Sequence, residues 1–313
     1  MDNQLNIWTD DYISYASTGM LQIGSENRPS SARGWSCVEN TGEQPVLAFS
    51  LLPVHVEFEN HHPIVLSPAT VAVTASNGSY VRSLVHDAGQ RTIFFGIPDD
   101  LITGYCTQLD PSMLERLDDP FPDRYAPVCP RAIAMARQLE RVVFESESML
   151  DPMLVDEWAL QILEYSFQTL LSLGSTRRLV AYSTSTYRSQ RCQINDAVAA
   201  LAKNPGSCWS LPVLADLVGL SPGYLSRTFR EHTGSTITQY LMILRVIHAL
   251  QLLPDYKGNL ASLAYESGFS SHAHMSTSFL RLIGVTPSST TAAHQQELIS
   301  RLAQESHTIH KPI

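Results

Sequence analysis

Cysteine is scarce and shows no pairing pattern: Cys37, Cys106, Cys129, Cys192 and Cys208 form a scattered set of five with no C-x-x-C. An odd count without metal-ligand spacing excludes a disulfide framework and supplies no zinc site, so reduced, buried thiols are expected. Charge is thin as well. Only 16% of residues are Asp, Glu, Lys or Arg, and 21 basic residues face 30 acidic ones for a net charge of −9. Such a balance excludes a chain that coats nucleic acid through general basicity. No apolar run approaches the ~20 residues of a membrane helix, and the segment Met1 to Asp11 lacks the basic-then-apolar order of an export signal. A cytoplasmic location without membrane attachment is expected. Also missing are G-x-S-x-G, H-E-x-x-H and any glycine-rich phosphate loop, so no residue is assigned to catalysis or to a cofactor, and an enzyme is not expected.

What is present begins with a repeat. The 313 residues suit two domains, and a hydrophobic content of 44% is enough for real cores. Within 211–286, Leu211, Leu214, Ala215, Gly219, Leu220, Ser221, Phe229, Gly234 and Thr236 recur as Leu260, Leu263, Ala264, Gly268, Phe269, Ser270, Phe279, Gly284 and Thr286. The spacing is 49 from Ala215 to Ala264. Leu-x-x-Leu-Ala places apolar groups on one helical face, with a small residue where a second helix packs close. Each glycine that follows ends a helix in the left-handed region, and Ser221-Pro222 restarts one at once. The unit is a helix-turn-helix, present twice. Between the copies, Ser235 to Leu253 has apolar residues at helical spacing and Pro254 stops it. Nineteen residues span roughly 28 Å, close to the ~34 Å between successive major grooves.

These strings carry a resemblance. Residues 192–291 resemble the DNA-binding domain of the AraC/XylS transcriptional regulators, on Leu214 to Phe229, Gln239 to Arg245, Ala249 with Leu252-Leu253, Ala264 to Ser271, Phe279, and Gly284 to Pro287. The resemblance covers about a third of the chain. It implies seven helices, two of them reading double-stranded DNA, a separate regulatory domain and RNA polymerase as a partner. It also marks two departures: Thr277 stands where the family usually has a basic residue, and Met275 where it usually has an aromatic one.

Residues 1–125 are expected to be β-rich. Val46 to Ser50, His55 to Glu59, Ile64 to Leu66, Thr70 to Thr74, Tyr80 to Val85 and Thr92 to Phe95 are short apolar or alternating stretches between turn residues. Asn77-Gly78 suits a hairpin turn. The region is loosely similar to the cupin-like sensory domains of AraC/XylS proteins, which implies a barrel or sandwich. His55-x-Glu57, His61-His62 and His86 do not make the metal triad of cupin enzymes, so no metal is assigned. An apolar barrel interior is a natural cavity, with Trp35, Phe49, Phe58, Tyr80 and Phe94 as candidate effector contacts.

Residues 126–173 turn helical. Ile133, Ala136, Leu139, Val142 and Val143 share a face, with Arg131, Arg137, Glu140 and Glu145 off it. A second helix from Asp151-Pro152 is apolar on two sides and ends at Gly174. Its Trp158, Ile162, Tyr165 and Phe167 are candidates for pairing two subunits as a homodimer. Residues 174–190 form a linker carrying Arg177, Arg178 and Arg188, and 191–305 the DNA-binding domain. The fold class is therefore α+β, a cupin-like β-barrel or sandwich with following helices, then an all-α domain of two helix-turn-helix units joined by a long helix.

From residue 189 onward nine Lys or Arg face seven Asp or Glu. That surplus of two is small for a DNA reader, so a matched sequence or a dimer must supply affinity. The expected DNA contacts are Tyr224, Arg227, Thr228 and Arg230 in the first unit and Ser271, His272, Ser276, Thr277 and Arg281 in the second. The expected function is a sequence-specific DNA-binding transcription regulator, an activator, controlled by a small-molecule effector in the amino-terminal domain. Control by a protein partner, or a cupin-type metalloenzyme fused to a DNA-binding module, are the alternatives.

Overall fold

Strand alternation in the amino-terminal part produces two antiparallel sheets whose inner faces enclose space. The computed structural model describes residues 5–9, 11–59, 61–109, 121, 124–145, 150–177 and 185–290. Its strands are β1 (Asn6–Thr9), β2 (Ile13–Ser17), β3 (Gln22–Arg28), β4 (Val38–Asn40), β5 (Val46–Ser50), β6 (Val54–Phe58), β7 (Ile64–Leu66), β8 (Thr70–Val73), β9 (Ser79–Leu84), β10 (Gln90–Gly96) and, after helix α1 (Asp99–Leu109), β11 (Tyr125–Pro127). The larger sheet runs β1-β2-β3-β10-β5-β8-β11 and the smaller β4-β9-β6-β7.

Each expected strand is present. The turn at Asn77-Gly78 differs from expectation: Asn77 takes the positive φ of 52°, yet β8 and β9 lie in different sheets. The turn carries the chain across the sandwich and closes no hairpin. The first four strands, β11 and α1 were not anticipated, and α1 lies inside the stretch expected to be β-rich.

Eight helices follow β11 among the described residues: α2 (Pro130–Phe144), α3 (Pro152–Arg177), α4 (Ser185–Lys203), α5 (Leu211–Leu217), α6 (Pro222–Thr233), α7 (Ile237–Leu252), α8 (Leu260–Glu266) and α9 (His272–Ile283), with α4 to α9 forming the carboxyl-terminal unit. A seventh helix of that unit would fall beyond residue 290, outside the described residues. Helix α3 passes through Gly174 and α4 starts at Ser185, so the linker expected at 174–190 is shorter at both ends. Within α4, Arg191 is held by Tyr125 and by the Pro63 carbonyl at 3.3 Å. Helix α7 is shorter than expected. It starts where Thr236 and Gln239 form a reciprocal capping box, and it gives way to a 3-10 turn at Leu253–Asp255. By length and apolar content alone Ile237–Asp255 could cross a bilayer, but half of it is buried in the fold, as in a core helix.

The outer face of the large sheet sets the core. Ile23, Leu47, Phe49, Val71, Ile93 and Phe95 pack with α2 and α3, and the same apolar cluster continues into α7 and α9 through Val246, Ile247, Met275, Phe279 and Ile283. Helix α2 is buried on every side from Ala132 to Glu140. Arg137 and Glu140, expected at the surface, are 6% and 2% exposed. They pair at 2.5 Å, and Arg91 of β10 reaches Glu140 at 3.3 Å. Burial of charge is tolerable there because both signs are paired.

Two further expectations are corrected. Trp158, Ile162 and Phe167 are 4%, 0% and 1% exposed, inside this chain's own core, and Tyr165 is half-buried against it. Trp158, Ile162 and Phe167 are thereby unavailable to a second subunit. The thiols of Cys37, Cys192 and Cys208 are free and exposed, and that of Cys129 is half-exposed.

The two halves of the chain also meet at a buried polar contact, where the Ser67 and Tyr240 hydroxyls lie 2.6 Å apart. Burial pushes the Tyr240 phenol far above its ordinary pKa, with the Ser67 bond opposing. Replacing Tyr240→Phe should lower the unfolding free energy by about 1 kcal/mol, measured by urea denaturation. An unchanged transition would mean that the bond contributes nothing.

Candidate nucleic-acid interface

The two helix-turn-helix units share backbone chemistry and differ in the surface they show. Gly219 and Gly268 adopt φ of 68° and 82° between the helices of each unit, and Gly234 and Gly284 close α6 and α9 at 75° and 83°. At Gly268 space is short as well: a Cβ would lie 2.7 Å from Arg245 Nε and 2.9 Å from the Gly206 carbonyl oxygen. Arg245 is itself fixed by donating to the carbonyls of Pro205 (2.9 Å) and Ser207 (3.0 Å). It is therefore a brace for the second unit.

Helix α5 and α8 are offset by 49 positions, but α6 and α9 by 50, because the second turn has one more residue. Hence Leu225 matches Met275, Phe229 matches Phe279, and both pairs are buried. Thr228 and Ser278 also match, at 1% and 2% exposure, which corrects the assignment of Thr228 to the groove. The exposed face of α6 carries Gly223, Ser226, Arg227 and Arg230, spaced by three and four residues. Tyr224 is half-buried and accepts a hydrogen bond from Gln190, while the Arg227 guanidinium lies 5.3 Å from its ring centroid. Tyr224 thus supports Arg227 from the side. Glu231 is 3.9 Å from Arg227, with both side chains largely exposed, so little holds the guanidinium back.

On α9 the exposed face carries His272, Ala273, Thr277, Leu280 and Arg281, with Ser276 half-buried among them. Ser271 is spent as the N-cap, accepting from the His274 amide at 3.1 Å, and His272 Nε2 lies 3.3 Å from Ser276 Oγ. Arg281 is exposed and aligns with Glu231. Ser226, Ala273 and Leu280 escaped the sequence reading. The two Phe residues and the two closing glycines, each pair 50 apart, carried the signal that would have found Leu280.

The space between the sheets is a cavity of about 530 Å³. Strand parity decides what lines it. Phe58, Tyr80 and Phe94 do, as expected, whereas Phe49 points to the opposite face with Ile93 and Phe95. Trp35 also lies outside the lining, donating to the Pro29 carbonyl at 3.3 Å. Phe94 sits over Gly24, where a Cβ would come within 2.0 Å of its ring, and meets Tyr15 edge-on at 5.5 Å. The polar end of the cavity was missed. Arg82, 5% exposed, donates to Glu26 (2.6 and 3.2 Å), Glu39 (3.0 Å and a shorter contact) and Gln90 (3.0 Å). Burial works against the Arg82 charge, but the bonds and field of Glu26 outweigh it and its pKa is raised. Burial likewise pushes Tyr80 up to about 12; Arg82 opposes this and Glu39 and Glu26 add to it. Among the described residues no three His, Cys, Asp or Glu side chains converge as metal ligands.

Comparison with known proteins bears on the paired units. A helix-turn-helix domain family matches residues 214–293. The chain is 42% identical over 76 residues to the HTH-type transcriptional regulator GlxA of Rhizobium meliloti, covering 24% of either chain. It is 30% identical over 156 residues to the HTH-type transcriptional activator RhaR of Shigella dysenteriae serotype 1, covering 50% of this chain and 53% of that protein. The carboxyl-terminal part of the chain is an AraC-type DNA-binding domain. The match spans about a quarter to a half of these relatives' length. Among solved structures, the DNA-binding domain of AdpA in complex with a target DNA is 27% identical, covering 35% of this chain and 95% of that one. The TM-score of that match is 0.31.

In an AraC-type domain so built, α6 offers two exposed cations at a spacing of three, and arginine against guanine is the commonest specific base contact. Arg227→Ala should weaken binding by about 1–3 kcal/mol and relax preference at one base pair. Fluorescence anisotropy on matched duplexes reads this out; an equal loss on every sequence would reduce Arg227 to a phosphate contact.

Proposed function

We propose that the protein is a sequence-specific transcription regulator, with Arg227 and Arg230 of α6 and His272, Ser276, Thr277 and Arg281 of α9 contacting DNA. The observation that carries this reading is the pair of matched helices, each buried on one face and presenting the other outward, in an AraC-type domain. Tyr224 and Ser271 act by holding these helices in place.

The cavity between the sheets takes a small effector, held by Phe58, Tyr80 and Phe94. The five donors of Arg82 are already used by Glu26, Glu39 and Gln90. No spare cation is offered from that group to an anion, so an uncharged ligand fits better. The effect on DNA follows if the ligand favours one arrangement of the two halves over the other. Helix α2, which packs on β3 and β10 and on α7 and α9, is the element through which that preference would pass. A homodimer would double the DNA contact, and its surface has to lie outside the buried face of α3. RNA polymerase is the partner of an activator of this type, and the cytoplasm its site of action.

Two measurements test the reading. Filling the cavity by Ala48→Leu should abolish the rise in Tm that a screened uncharged metabolite gives the unaltered protein, with DNA affinity retained in its absence. An equal rise in both proteins would place the ligand elsewhere. Sedimentation equilibrium at micromolar concentration should give twice the 34.7 kDa of the chain; a monomer bound to DNA with full affinity would remove the dimer.

A further inference from the structure

Leu280 is a large apolar side chain, 51% exposed in the last turn of α9. Exposed leucines are common singly, so exposure by itself assigns nothing. The repeat supplies an internal control. At the matching position α6 has Arg230, also exposed, in a helix of the same length with the same closing glycine conformation. The fold therefore does not require an apolar residue at that place. Leu280 shares its face with Ala273, Thr277 and the half-buried Ser276, which lie seven, three and four residues before it. The first unit shows two arginines there, whereas the second shows methyl-bearing and small side chains, with Arg281 to one side.

We infer that the second unit reads thymine through its 5-methyl group, with Leu280 as the specificity-determining contact and Ala273 and Thr277 beside it. The inference rests on the DNA-binding reading above. In the major groove the thymine methyl is the one apolar feature of a base edge, and it is recognised by apolar side chains. Arginine at the corresponding place in α6 suits guanine or phosphate. The two units thus divide the site by chemistry: the first half is selected by charge-assisted hydrogen bonds and the second by methyl groups. The missing basic residue at Thr277 then reflects a change of base preference, with the second unit still engaged on DNA.

The test uses the full chain and a duplex site selected with it from a random pool. Each thymine is replaced singly by uracil, which removes only the methyl, and Kd is measured at fixed salt. One or two replacements, in the half of the site that Arg227→Ala leaves unaffected, should weaken binding about fourfold, as expected for one buried methyl-sized group. Leu280→Ala should bind the thymine duplex as weakly as the natural protein binds the uracil one, with no further loss on uracil. Circular dichroism should show the variant folded, as expected for alanine on an exposed helix face. The assignment is overturned if no uracil replacement matters, or if Leu280→Ala loses equally on both duplexes. It is also overturned if the variant keeps its DNA affinity but loses transcriptional output, because Leu280 would then meet a protein. Failure to enrich any site would overturn the DNA-binding reading itself, a result distinct from enrichment without methyl dependence.

Discussion

Helix α2 is the constraint on which the arrangement depends. It has no free side from Ala132 to Glu140: the large sheet covers one flank, α3 another, and α7 and α9 a third. A helix enclosed in this way must be apolar or internally neutralised all round. The sequence meets that demand with Ala132, Ile133, Ala136 and Leu139, and with the Arg137–Glu140 pair completed by Arg91 from β10. One strand therefore presents Gln90, Thr92 and Phe94 to the cavity and, through its alternate residues, Arg91 and Ile93 to α2 or its surrounding core. The chemistry of the cavity wall and the seating of the second recognition helix are separated by a single packed layer.

The carboxyl-terminal domain is joined to the rest by more than apolar packing. Asn195 donates to the Pro63 carbonyl at 2.9 Å and Gln251 to the Leu51 carbonyl at 3.0 Å, and the Lys203–Asp87 pair closes an exposed edge at 3.2 Å. Exposed pairs of that kind contribute little. The Ser67–Tyr240 contact, which is buried, and the apolar seam along α2 fix the geometry. Any reorientation of the DNA-binding unit has to break or slide that seam.

Much of the helical half was legible in the sequence, because Leu-x-x-Leu-Ala, the left-handed glycines and the caps act locally. The one-residue difference between the two turns was legible too, in the 49-residue spacing of the alanines against the 50-residue spacing of Phe229 and Phe279. The second spacing matches Leu280 to Arg230, and Thr228 is buried beside Phe229, on the packed side of α6 that Leu225 and Phe229 alone did not delimit. The amino-terminal half was harder. Strand β3, Gln22–Arg28, has the polar residues Gln22 and Glu26 facing inward, so its alternation is reversed from the usual apolar-in pattern. Arg137 and Glu140 look like surface residues because the layers that bury them, and the Arg91 that completes their local pair, come from distant segments. Trp158, Ile162 and Phe167 marked α3 as a helix with two buried faces, but which neighbour covered each face was a matter of tertiary structure.

The central claim is that one chain places two dissimilar readers on the same DNA. Hydroxyl-radical footprinting of the full-length protein on a selected site tests it most directly. The account predicts two protected patches per protomer on one face of the duplex, centred about one helical turn, ~10 base pairs, apart. A single patch per protomer, unchanged when α9 is altered, would contradict it.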